Sequence, residues 1–130
     1  MAYSEALRSI SVEADADLSA KQFYAVQLST DGQAAVQTTE GGFALGILQD
    51  DPENAGEAAE VGIGGVSKAH LNGASDAIAA GDALQVSTAG TLIKAAGAGD
   101  YVLARSMEAV STGSTGIRSV LITHEGQLSS

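Results

Sequence analysis

The chain contains no cysteine and no tryptophan. The first absence excludes disulfides, thiolate nucleophiles and cysteine-based zinc sites. The second belongs to a wider shortage, since aromatic residues make up only 4% of the sequence, with 2 Phe and 3 Tyr. Small side chains fill little volume, so one copy buries a thin core and gains from association. Proline occurs once, at position 52, against 16 glycines. Basic residues are scarce as well: 6 Lys and Arg face 16 Asp and Glu, for a net charge of −10. An acidic surface repels phosphate, so neither nucleic acid nor an anionic membrane surface is an expected partner. No apolar run approaches the roughly 18 residues of a membrane-spanning helix. The opening MAYSEALRSISVEAD lacks the basic, apolar and small-residue order of a signal peptide, and the expectation is a protein made in a cytoplasm.

Catalytic equipment is equally sparse. His70 and His124 are the two imidazoles, each read as lying just past an apolar strand, and no Gly-x-Ser-x-Gly elbow accompanies either. Glu13, Asp15 and Asp17 alternate and would share one face of an extended chain, while Asp50, Asp51, Glu53 and Asn54 form a second acidic group. Neither follows the Asp-x-Asp-x-Asp-Gly pattern of a calcium loop, and both read as solvated faces. VGIGGVSK matches neither a P-loop nor Gly-x-Gly-x-x-Gly, and glycine in a strand marks a bulge or a close backbone approach. The phrase IAAGDALQV is similar to strand openings in biotinyl and lipoyl carrier barrels. The corresponding ARSMEAV has Met107 but no attachment lysine, leaving Lys94 as a weak substitute. The residues therefore indicate no enzyme, no cofactor and no metal site.

What the chain does have is a repeat. AVQLSTDG (Ala25 to Gly32) recurs as ALQVSTAG (Ala83 to Gly90), at an offset of 58 residues. The same offset places Gly41 on Gly99, Phe43 on Tyr101, Leu45 on Leu103 and Asp50 on Glu108. Upstream, DLSAKQFYAV faces DAIAAGDALQ with a two-residue slip. Leu84 and Val86 share one face of an extended chain and Gln85 and Ser87 the other, which is strand periodicity. Gly32 and Gly90 sit where a hairpin needs positive φ. Each half thus reads strand, glycine turn, strand, glycine turn, strand, and ends in an apolar segment, VGIGGVSKAHL or IRSVLITHEG. Helix signals are weak: SEALRSI could make one turn, and in PENAGEAAE the central Gly56 argues for a loop.

A length of 130 residues favours one domain. The reading is all-β: a small barrel or sandwich built from two related hairpin-plus-strand halves, about residues 15–73 and 74–126, followed by a tail at 127–130. Residues 1–14 stand outside the matched blocks. Tyr3, Leu7, Ile10 and Val12 are apolar there, so the segment is either an arm that adds a strand to a neighbour's sheet or the first strand of the domain.

The order of phrases carries a resemblance. SISVEADADLSAKQFYAVQLSTDG leads to FALGILQD and VGIGGVSKAHLNG, then to AIAAGDALQVSTAG and GDYVLARSMEAVSTGSTGIRSVLI. This order resembles that of the small capsid decoration, or cement, proteins of tailed bacteriophages, from about Ser9 to Ile122. The resemblance implies a structural virion protein on the outer capsid surface, bound to the major capsid protein, commonly as a homotrimer that braces neighbouring capsid subunits. It supplies no site residues, so Tyr3, Leu7, Ile10 and Val12 are the capsid-contact candidates chosen from the chain itself. The alternatives from other classes are a carrier-like barrel and a fibre or spike module of a particle.

Overall fold

A computed structural model describes residues 7–95 and 97–127 of the chain. The described residues form nine strands and no helix: β1 (Arg8–Glu13), β2 (Ala25–Leu28), β3 (Ala34–Val36), β4 (Gly46–Leu48), β5 (Ala58–Asn72), β6 (Ala83–Val86), β7 (Leu92–Lys94), β8 (Tyr101–Ser106) and β9 (Thr115–Gln127). The protein is all-β, as its period-two patterning and glycine turns imply. PENAGEAAE is a loop running into β5.

The two halves repeat at the level of individual hydrogen-bonded pairs. In the first, Val26 pairs with Val36 and Leu28 with Ala34; in the second, Leu84 pairs with Lys94 and Val86 with Leu92. Ala25 faces Ile47, and 58 residues on, Ala83 faces Arg105. The hairpin turns match as well: the Gly32 amide donates to the Ser29 carbonyl and the Gly90 amide to Ser87, with φ of 77° and 83° at the two glycines.

The 15-residue β5 belongs to both halves. Its first part pairs antiparallel with β1 and β4, and its second part, from Gly65, with β9. Glu13 lies opposite Ala58 as His70 lies opposite Ile117. The second part of β5 is therefore to the second half what β1 is to the first. Each half closes on itself through a single parallel bridge, Ala14 to Ala34 in the first and Leu71 to Leu92 in the second. Two small barrel-like rings thus share one strand. An apolar cluster lies within each, and the larger also takes in Ala25, Ala44 and Ile47 of the first half. Val26, Leu48 and Val61 lie in the smaller one, and Leu71, Leu84, Leu92 and Leu103 in the larger.

The glycines of VGIGGVSK make the shared strand possible. A Cβ on Gly62 would lie 3.1 Å from a Leu7 methyl carbon, and one on Gly64 would lie 2.7 Å from the Arg8 guanidinium. In β4, a Cβ on Gly46 would overlap the Gly62 carbonyl. Neighbouring backbones approach here as closely as only glycine permits.

Candidate interaction surface

Aromatic residues, scarce in the sequence, gather where the halves meet. Phe43, in the loop before β4, and Tyr101, at the start of β8, are repeat equivalents. Their rings meet edge to face with centroids 5.1 Å apart. His124 of β9 joins them, its Nδ1 lying 2.7 Å from the Tyr101 hydroxyl. Burial holds the His124 imidazole below its ordinary pKa, partly opposed by a hydrogen bond with the Leu45 backbone, and burial raises the Tyr101 phenol. Despite these contacts Phe43 stays 56% exposed.

A second cluster lies along the outer side of the β5–β9 ribbon. The Tyr24 ring stacks on His70 at 4.2 Å, and the Lys21 ammonium sits 4.9 Å above the Tyr24 ring. The His70 amide donates to the Phe23 carbonyl, 3.1 Å away. Phe23 has φ of 69°, a left-handed conformation that costs a side-chain-bearing residue of order 1–3 kcal/mol. Its repeat equivalent is Gly81, with φ of 93°. The Phe23 side chain overhangs a shallow depression lined by Lys68, Glu108, Ile117, Arg118 and Ser119. Ile117 and Leu121 on β9 are 44% and 38% exposed.

The cations are unevenly employed. Arg105 makes a bidentate pair with Glu125, at 2.8 and 2.9 Å, which raises the guanidinium's pKa and holds the carboxylate's down. Lys94 lies 3.8 Å from Asp82. Arg8 covers Gly64. Lys68 and Arg118 flank the Phe23 depression, where, after the Ser119 amide, they help to hold the Glu108 carboxyl below its usual range. Part of the small positive charge of an acidic chain therefore lies beside exposed apolar side chains.

The residues singled out in the sequence are spread over this framework. Leu7 packs against the larger core cluster and over Gly62. Ile10, opposite Val61, is 39% exposed, and Val12, opposite Ala59, packs on the smaller cluster. Tyr3 lies outside the described residues. From Arg8 onward the segment is thus strand β1 of its own chain, with its outer edge unpaired among the described residues. The two histidines stand within β5 and β9, not beyond strand ends. The acidic loop residues cap backbone: Asp50 accepts from the Glu60 amide and Glu57 from those of Glu53 and Asn54. Phe23, Tyr24 and Leu28 were not singled out by sequence reasoning. The one available signal for Phe23 is that an aromatic residue aligns with Gly81 in the 58-residue register.

No protein-family model matches the chain, and no curated protein matches it in sequence. Among solved structures, the chain is similar in fold to the N base of the head fibre gp8.5 of bacteriophage phi29, at 16% identity and a TM-score of 0.63, over 96% of this chain and 100% of that one.

Proposed function

We propose that the protein is a structural component of a tailed-phage virion that binds the outer surface of the assembled capsid and stabilises it by bridging neighbouring capsid subunits. The observation that carries this reading is the fold likeness to a phage head-fibre base, which spans nearly the whole chain and the whole of that base. The order of sequence phrases points the same way, towards a trimeric capsid-bound module. A protein that binds only the assembled lattice stabilises it by mass action, by about 2.7 kcal/mol at a free concentration 100 times its dissociation constant. A trimer touching several subunits gains further, because its later contacts are intramolecular. The β5–β9 face supplies apolar anchors, Phe23, Ile117 and Leu121, beside the cations Lys68 and Arg118.

The test is to mix the protein with empty expanded capsids and sediment them. Co-sedimentation that saturates, with a higher thermal transition of the shell, is the expected result. Protein left in the supernatant at every concentration would refute the reading. A second reading, favoured by the same fold likeness, makes the chain the foot of a projecting fibre. Imaging of particles separates the two, showing radial projections for a fibre foot and lattice-wide knobs for a brace.

A further inference from the structure

Because the fold is duplicated, the outer face of the β5–β9 ribbon has a counterpart on the other ring, formed by β1 and the first part of β5. The bridges Ala14–Ala34 and Leu71–Leu92 set Glu13 in the place of His70. The register then puts Ser11 in the place of Lys68, and Ala58, Glu60 and Gly62 in the places of Ile117, Ser119 and Leu121. One contact is kept on both faces. The Glu60 amide donates to the Asp50 carboxylate at 3.0 Å, and its equivalent, the Ser119 amide, donates to Glu108 at 2.7 Å. Glu108 therefore serves the fold, as Asp50 does. The remaining side chains differ in one direction. Where the first ring has Ser11, Ala58 and Gly62, the second has a lysine and two aliphatic residues, and the latter, Ile117 and Leu121, stay exposed. The lip of the depression differs likewise, since Phe23 stands where the repeat has Gly81 and holds a left-handed conformation that glycine adopts without strain. Each exchange adds apolar surface or positive charge that the counterpart face folds without. Exposed apolar side chains and backbone strain retained in this way mark a place where another molecule binds.

Charge says what that molecule is. Lys21, Lys68 and Arg118 on this face are three of the chain's 6 basic residues, although the net charge is −10. Among the described residues none of the three is salt-bridged, unlike Lys94 and Arg105. Lys21 lies over the Tyr24 ring, and Arg118 donates to the Ile117 carbonyl. Glu108 is the one carboxylate lining the depression, and the Ser119 amide already holds it. The complementary surface is therefore rich in carboxylates, with an apolar side chain among them. A phosphate chain or an anionic membrane has the right sign but would also meet the acidic surface around this face, which repels it. A short protein segment need touch only the face itself.

We infer that the β5–β9 face receives an acidic segment of a partner protein, with one apolar side chain seated in the Phe23 depression and carboxylates turned to Lys68 and Arg118. The inference rests on the proposed function for where that segment is found, a carboxylate-rich protrusion of the capsid subunit, but its test needs no capsid.

The test titrates the full chain with the end-blocked peptide Asp-Glu-Leu-Glu-Asp, up to millimolar concentration, and follows backbone amides by NMR. The signals of Lys68, Ile117 and Arg118 should move, and those of Ser11, Ala58 and Glu60 on the counterpart face should not. The same peptide with lysine in place of its acids, or serine in place of its leucine, should move them far less. Phe23→Gly, Lys68→Ser and Ile117→Ala each install the residue that the counterpart position uses, so the circular dichroism spectrum should be unchanged. Lys68→Ser should weaken binding about two- to fivefold, the yield of one exposed ion pair. Phe23→Gly and Ile117→Ala should each weaken it about fivefold or more through lost apolar contact. Face signals unmoved by the acidic peptide, equal movement with the lysine peptide or on the counterpart face, or undiminished binding by all three variants would overturn the inference. So would movement of the same signals on concentrating the chain alone, which makes a second copy the occupant, or a stronger response to anionic vesicles or a DNA oligonucleotide than to the peptide. Co-sedimentation with capsids reads only the proposed function. Peptide binding without capsid binding refutes that reading and leaves the chemistry of the face standing, and capsid binding without peptide binding refutes the inference alone.

Discussion

Phe23 holds a backbone angle that its repeat equivalent leaves to glycine. Only Gly is comfortable there, so the phenyl ring is retained against a local cost. Phe23→Gly should relieve that cost while losing a partly buried ring and adding freedom to the unfolded chain. These effects oppose one another, and a change in unfolding free energy within about 1 kcal/mol is expected from denaturant titration, small for the loss of an aromatic. A second residue-scale expectation concerns His124. Its folded pKa lies below the ordinary 6.5 because the ring is desolvated, so the unfolded chain binds the proton first as pH falls. The neutral ring's contribution is complete above that value, is lost as pH falls through it, and stops changing below the folded pKa. Glu108 and Glu125, held below their ordinary 4.5, add a separate loss at lower pH. His124→Gln should flatten the fall in melting temperature between about pH 7 and 5 and leave the more acidic fall intact, as thermal scans across pH would record.

At the scale of elements, the hairpins β2–β3 and β6–β7 were legible because period two, the turn glycines and near-identical words coincided. The counterpart of β1 was not. RSISVE and GVSKAH have not one identical residue, and their equivalence exists only in pairing register. Nor was β5 legible as one strand, since Gly62 and Gly64 look like breaks until Leu7, Arg8 and β4 are seen lying against them. The interaction surface was least legible of all. Phe43 and Tyr101 align in the sequence, yet nothing in one strand records that it will touch its own repeat. Removing residues 1–13 deletes β1 and its inward Val12, and leaves one edge of β5 bare. Hydrogen exchange should then quicken first in β2, β3 and β4 of the opened ring, while β6 to β9 keep most of their protection. Equal acceleration throughout would show that the second ring cannot stand without β1.

The molecule as a whole has two cores and one seamless strand between them. Because β5 contributes Ala59 and Val61 to the smaller cluster and Ala69 and Leu71 to the larger, neither ring can come apart without exposing residues of a strand that the other uses. A single calorimetric transition is expected, with calorimetric and van't Hoff enthalpies equal. Two resolved transitions would mean that the halves are coupled only loosely.

The shared strand also orders events during synthesis. Chains fold from the N-terminus as they emerge, at about 5–20 residues per second. The first ring has all its strands once residue 64 has left the ribosome. The residues of β5 that follow emerge already anchored at one end, so β9 arrives, some fifty residues later, at an edge whose position the first ring has fixed. The nascent chain thus carries its own template, and the slow search for distant strand partners is shortened for the half that is made last.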